Sequence, residues 1–417
     1  MTKPLRIAQV VGNLETGGTQ TLIMELMRHL DRAKFDSTII HFKDPNHFAE
    51  EITARGWRAI KVRASRSYRP AELRALADVF RRERFDIVHT HSDFANFAGR
   101  AAAICAAVPR VIAHYHNTYA HRMDGFFHAM ESHLAQRTDA LIACSEGVER
   151  FMHQYLDLRG RPLYLLQNGI DLSPFRAAAA ARDKARMNAG CAANTFHIIH
   201  TARLEPHKRP QLLIQALALM NRAESDQLGP WRLTYVGGGS LRESMEAELK
   251  ALDRVTQEQT GCAISERVHF VGWSRDIAGW LAASDVFCLV SQNEGLPLSL
   301  VEAMAAGTPT ISSDIIGPQE VIGGGENGVL LANPDPRKVL DAILELRRNA
   351  AHAAQLSANG RARAEHFSIE KFVARAEELY AMIAAQPAIA APPLNPLTRH
   401  LFLRKLSSLA RRKRADE

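Results

Sequence analysis

The segment Asp285-Val-Phe-Cys-Leu-Val290-Ser291-Gln-Asn-Glu294-Gly-Leu-Pro297-Leu-Ser-Leu-Val-Glu302-Ala-Met-Ala-Ala-Gly307 decides how this chain is read. Its apolar run up to Val290 reads as a buried strand. Pro297 suits the first position of a helix and Gly307 its C-terminal cap. Glu294 then lies in the turn after the strand, and Glu302 on the second turn of the helix. Such a turn gathers free backbone N–H groups at a positive helix end, with a carboxylate on either side able to accept hydrogen bonds from hydroxyls. A ligand with phosphate in its middle and hydroxyls at both ends, such as a nucleotide sugar, would satisfy it. Two glutamates at this spacing can equally form a solvated helix face, so the weight rests on what surrounds them.

Strand–turn–helix units recur along the chain. Ile7–Val11, Thr38–Ile40, Ile87–His89, Val111–His114, Ala140–Ala143 and Leu163–Leu166 read as strands, with helices over Thr21–Leu30, Ala71–Arg82, Ala95–Ala107 and Gly125–Arg137. After a polar, Ala/Arg-rich stretch the rhythm restarts at His197–His200 and continues through Leu233–Val236, Val268–Val271, Val286–Leu289 and Thr310–Ser312. The expectation is α/β: two doubly wound, Rossmann-like domains with parallel sheets, over residues 1–185 and 190–366. Residues 367–385 form a last helix, placed against the first domain. Gln386–Pro396 is a Pro/Ala linker.

Bulk properties agree. The chain has 417 residues, with 46% hydrophobic and 23% charged, the range of a globular protein of two domains. Its five cysteines are odd in number and form no C-x-x-C pair, which points to free thiols in a reducing, cytoplasmic compartment. Leu5–Val11 is strand-length and leads into Gly12, so no signal peptide is expected, and no apolar stretch approaches the length of a membrane span. The net charge of +7 is concentrated in the tail, where Arg399, Arg404, Lys405, Arg411, Arg412, Lys413 and Arg414 face only Asp416 and Glu417. Phe402, Leu406 and Leu409 share one helical face there, so residues 398–414 read either as an anchor on an anionic membrane surface or as a solvated basic tail. Nucleic acid is not an expected partner.

Two further clusters carry chemistry. His200-Thr-Ala-Arg203-Leu-Glu-Pro-His-Lys208-Arg209 places Arg203 and Lys208 in the loop after the second domain's first strand, where a fixed cationic pair can grip a diphosphate. Gly12-Asn-Leu-Glu-Thr-Gly17-Gly18-Thr19 is a glycine-bearing turn between the first strand and helix, suited to close backbone approach. Either could be an ordinary surface feature taken singly.

In this order, joined by Asn168-Gly-Ile-Asp171, Val236-Gly-Gly-Gly239 and Val268-His-Phe-Val-Gly272, the clusters resemble the retaining glycosyltransferases of family 4, "glycosyl transferases group 1". The similarity runs from about residue 5 to 385. It implies the GT-B fold, in which a cleft separates the two domains, the second binding the nucleotide-sugar donor. The resemblance assigns Glu294 to hydroxyls of the transferred sugar, beside backbone N–H groups of Gly295, Leu296, Pro297 and Leu298 (the proline having none to give), and Glu302 to the ribose. Arg203 and Lys208 would neutralise the diphosphate, and the Gly17-Gly18 loop would close over it from the other domain. His116, in Ile112-Ala-His-Tyr-His116-Asn, matches the histidine beside the reacting sugar, with His114 as the competing match. No Asp-x-Asp occurs, so neither a metal nor a cofactor beyond the UDP- or GDP-sugar co-substrate is expected. The acceptor would be a glycan or a lipid-linked sugar, met around residues 13–20, 66–70 and 116–128. Arg66, Tyr68 and Arg69 are candidate contacts there, as are Tyr119, His121 and Arg122.

Two rival readings stay open. One is a sugar-nucleotide epimerase or hydrolase of the same fold. The other is a zinc-dependent hydrolase using His89-Thr-His91-Ser-Asp93, with His114 and His116 as further nitrogen ligands.

Overall fold

The computed structural model describes residues 3–63, 69–118, 125–158 and 160–387. Candidate acceptor residues Arg66, Tyr68, Tyr119, His121 and Arg122, and the basic tail, lie outside the described residues. The chain divides into two units, one of Met1–Gln167 with Phe372–Glu417 and the other of Asn168–Lys371.

The first unit is built on β1 (Leu5–Leu14), β2 (Phe35–Asn46), β3 (Arg58–Lys61), β4 (Ile87–His91), β5 (Arg110–Tyr115), β6 (Ala140–Ala143) and β7 (Leu163–Leu165). They form a parallel sheet in the order β3-β2-β1-β4-β5-β6-β7. The second unit carries β8 (Phe196–Thr201), β9 (Trp231–Val236), β10 (Val268–Gly272), β11 (Val286–Leu289), β12 (Thr310–Ser313) and β13 (Val329–Leu331), parallel in the order β10-β9-β8-β11-β12-β13. Each is the expected Rossmann-like sheet. The central strands β4, β8 and β11 are buried along their whole length, because helices cover both faces of a parallel sheet. Ile198, Leu213, Leu233 and Val286 pack in one core, and Val10, Ile40, Val88 and Ala98 in the other. Each buried Leu or Ile contributes about 1.5–3 kcal/mol.

Strand order reverses between β1 and β4, and again between β8 and β11. In an open parallel sheet that reversal opens a crevice beyond the carboxyl ends of the two neighbouring strands. The clusters singled out by sequence follow β1, β4, β8 and β11, and therefore lie at these two crevices.

Several boundaries differ from expectation. The edge strands β3 and β13 were not anticipated: β3 is four residues, mostly exposed, with no apolar run, and β13, though apolar, is only three residues long. β1 and β2 extend well past their apolar cores, pairing as far as Leu14 and Asn46. The Ala/Arg-rich stretch expected at the end of the first domain packs on the second unit. There Arg182 Nη2 lies 2.6 Å from Asp285 Oδ1 and Arg186 Nη1 3.1 Å from Asp285 Oδ2. The division thus falls at Gln167/Asn168. The helix Ile369–Ala385 sets Tyr380 against Phe35, with ring centroids 5.8 Å apart, and Ile383 O accepts a 2.8 Å bond from Arg110 Nε. Cys144, Cys191 and Cys288 are buried, and all five cysteines are free thiols. Among the described residues no helix is long and apolar enough to cross a membrane.

Candidate active site

At the mouth of β8 and β11, two loops are tied together by their backbones. Gln292 N donates to His207 O at 2.7 Å, which holds the turn after β11 against the loop after β8. The first of these loops is shaped by a third. Gly237 and Gly239 pass so close to residues 202–204 that an added Cβ would meet Ala202 O at 2.1 Å and Leu204 O at 2.4 Å. No side chain fits there, which is the physical reason for glycine at 237 and 239; a Cβ on Gly238 would meet nothing within 4 Å.

Within this frame Lys208 and Glu294 meet. Lys208 Nζ lies 2.5 Å from Glu294 Oε1, and Ser291 Oγ donates to the same oxygen at 2.7 Å. Glu294 is only 6% exposed. Both bonds fall on Oε1, and Oε2 takes no hydrogen bond among the described residues. A carboxylate held this way keeps its position and one acceptor oxygen for a hydroxyl. Arg203 stands exposed in the same loop, outside this pair.

The helix Leu298–Ala305 starts one residue later than expected, with the extended Pro297 as its cap rather than its first residue. Among the described residues no side chain caps that end; Leu300 N donates to Pro297 O at 3.2 Å, and the N–H groups of Leu298 and Ser299 stay available to an anion. Glu302 is half-buried on the second turn, and Gly307 closes the helix at φ +73°. Two contacts fix the turn before this helix. Asn168 Nδ2 donates to Leu296 O at 3.2 Å, and a Cβ on Gly317 would meet Gly295 O at 2.7 Å. Sequence reading gave neither residue a role; Asn168 was noted only as part of Asn168-Gly-Ile-Asp171.

The first unit's crevice has a different character. Gly17 caps the helix Gly18–His29 in an extended conformation at φ −176°, and a Cβ on Gly18 would meet nothing within 4 Å. These glycines keep a bare backbone rather than relieve strain. Across the switch point, His89 and His91 on β4 face His114 on β5 and His116 just beyond it, with ring centroids 4.0–5.6 Å apart. Burial pushes His89 and His116 down to about 3 and His91 and His114 well below their ordinary value, so the cluster is neutral at physiological pH. His114 is sealed whereas His116 is half-buried, which favours His116 over its competitor as a ligand contact. Ser92, directly after β4, sits at φ +70°, a region that costs a non-glycine residue about 1–3 kcal/mol and is commonest at functional sites.

Ring nitrogens of His89, His91 and His114 lie within 4.8 Å of one another, a grouping that could hold a metal ion. Both nitrogens of His91 are already taken, however, by Gln9 Oε1 at 2.9 Å and His116 Nε2 at 3.1 Å. Asp93, the other residue of the zinc reading, opens the helix Asp93–Cys105.

Comparison with known proteins agrees with this arrangement. Residues 16–174 match the family model described as "Glycosyltransferase Family 4", and residues 195–349 the one described as "Glycosyl transferases group 1". The chain belongs to the group 1 glycosyltransferases and is a glycosyltransferase. A D-inositol 3-phosphate glycosyltransferase of Xylanimonas cellulosilytica is 28% identical over 89% of this chain and 93% of its own length. The UDP-Gal:alpha-D-GlcNAc-diphosphoundecaprenol alpha-1,3-galactosyltransferase of Escherichia coli is 28% identical over 65% of this chain and 69% of its own. In fold, the chain is similar to Anabaena HepE, solved with UDP and glucose, at a TM-score of 0.76 and 20% identity, covering 91% of this chain and 100% of that one. The architecture is GT-B.

Proposed function

We propose that the protein is a retaining glycosyltransferase that moves a sugar from a UDP- or GDP-sugar to a glycan or lipid-linked acceptor in cell-surface polysaccharide or glycolipid synthesis. The observation that carries this is the Lys208–Glu294–Ser291 set beside Arg203 and an uncapped helix N-terminus. The names of the relatives support the donor and acceptor classes.

The division of labour follows from charge. As the glycosidic bond breaks, negative charge grows on the departing diphosphate and the sugar becomes oxocarbenium-like. Lys208, Arg203 and the N–H groups around Gly295–Leu298 stabilise the phosphate charge, where preorganised electrostatics acts most strongly. Glu294 binds sugar hydroxyls through Oε2 and Glu302 binds the ribose. The Gly17-Gly18 backbone lies along the diphosphate, and His116 contacts the reacting sugar. No carboxylate is assigned as a nucleophile. Retention proceeds on one face, with the departing phosphate oxygen taking the acceptor's proton. These cationic groups do the work of a metal, so donor binding needs none. The 398–414 tail holds the enzyme on the cytoplasmic leaflet.

A panel of UDP-, GDP- and ADP-sugars, supplied with lipid-diphosphate-linked sugars and scored for a product glycoside and its anomeric configuration, tests this reading. Transfer with inverted configuration, or full loss of transfer on chelation, would overturn it. Equal vesicle binding after truncation at Pro396 would refute the anchor.

A further inference from the structure

Gln9 is the one polar residue in the apolar run Ile7–Val11, and it is fully buried on β1. It pairs in register with His89 of β4. Its amide reaches two partners: Nε2 donates to Tyr380 Oη at 3.0 Å, and Oε1 lies 2.9 Å from His91 Nε2. Tyr380 Oη lies in turn 2.8 Å from His89 Nδ1. These contacts have a direction. Tyr380 Oη accepts from Gln9, which leaves its own proton free to go to His89 Nδ1. An amide oxygen only accepts, so His91 carries its proton on Nε2. His91 is neutral, and its Nδ1 is therefore a bare lone pair. That lone pair lies 3.1 Å from His116 Nε2, which must be the donor. His116 then has its proton on Nε2, and its Nδ1, which is buried and has no partner among the described residues, is an unsatisfied acceptor.

We infer that Gln9, His91 and Tyr380 are positioning residues that hold the imidazole of His116 in a single tautomer, presenting Nδ1 as a hydrogen-bond acceptor. The inference rests on the placement of His116 beside the transferred sugar. There a bare nitrogen in a dry site recognises a sugar hydroxyl that donates, and the opposite tautomer would set one N–H against another. The chain also gives the helix Ile369–Ala385 a part in catalysis, since Tyr380 orients the amide on which the direction depends.

The test is the nitrogen spectrum of the histidine rings in the full-length protein, read with turnover. In the wild type His116 shows one tautomer, protonated at Nε2. Gln9→Leu removes the anchor and should mix the tautomers, with kcat falling about tenfold to a hundredfold while the donor KM stays within about twofold. Gln9→Glu restores an acceptor to His91 and should return the single tautomer and most of the rate. If Gln9→Leu does not fold, Tyr380→Phe asks the same question, because without the hydroxyl the Gln9 amide is free to turn over and reverse the chain. An unchanged His116 spectrum in the folded variant overturns the inference. Mixed tautomers with unchanged turnover would leave the chain standing and overturn instead the placement of His116 at the sugar.

Discussion

The two crevices have the same topology and opposite electrostatics. Beyond β8 and β11 stand an exposed arginine and, beside it, a lysine joined to a buried glutamate, in loops tied by the backbone of His207 and Gln292. Beyond β1 and β4 stand imidazoles kept neutral by burial, an amide and a phenol. In the function proposed above, the second unit's crevice meets a growing charge, and the first unit's reads direction in hydrogen bonds without supplying charge. A doubly wound sheet provides the crevice in both cases, and the residues at the strand mouths decide what it does.

The charged crevice should break most sharply. Lys208→Ala and Glu294→Ala should each lower transfer by about 10³-fold, as expected for the loss of a preorganised group. Each also leaves the partner's charge poorly paired, so each should lose stability. The double variant separates the two effects: its thermal midpoint should recover toward wild type while its activity does not. Near-normal turnover in either single variant would sink the donor-site assignment.

Stability offers the next contrast, because the first unit does contain one buried charge pair. Arg100 is fully buried, donates to Asn96 O at 2.6 Å, and is paired with Glu131, which also accepts from Tyr115. Glu131→Ala strands that guanidinium and should cost about 3–5 kcal/mol in denaturant unfolding. A smaller loss is expected from Gly317→Ala, whose methyl presses on Gly295 and displaces the turn. Activity should drop by about 10- to 100-fold with little change in the melting temperature.

Acid sharpens the comparison at the smallest scale. His89 and His116 titrate at about 3 when folded and near 6.5 when unfolded, so the unfolded chain binds protons first. Their contribution is therefore fully present above pH ~6.5 and is lost as pH falls toward 3. His197 and His200, pushed by burial to about 4, add to this in the second unit. Among the described residues, neither ring nitrogen of His114 has a hydrogen-bond partner. His114→Leu should leave stability at pH 7.5 within about 1 kcal/mol and flatten the acid limb; an unchanged limb would show that His114 is solvated.

Much of this was legible because parallel sheets write long apolar runs. The central strands, the loop positions of Glu294, Arg203 and Lys208, and the reversal-point architecture all follow from those runs. What escaped notice was fixed by partners distant in sequence. Gln9 and Tyr380 are 371 residues apart, and nothing local announces their bond. Asn168 and Leu296 are 128 apart. Edge strands such as β3 lack the apolar signature because one side of them meets water. Pro297 was read one position too deep in its helix, since proline suits the cap as well as the first turn.

The bond from Asn168 to Leu296 has a consequence for anyone who recombines such enzymes. Asn168 is the first residue of the second unit, and it steadies the turn proposed to carry the donor-binding groups. A chimera joined in the Ala/Arg-rich stretch near residue 185 would import a new donor module but keep the old Asn168, along with an arginine selected to face a different Asp285. A transplant that preserves specificity should instead take Asn168 through Lys371 as one cassette.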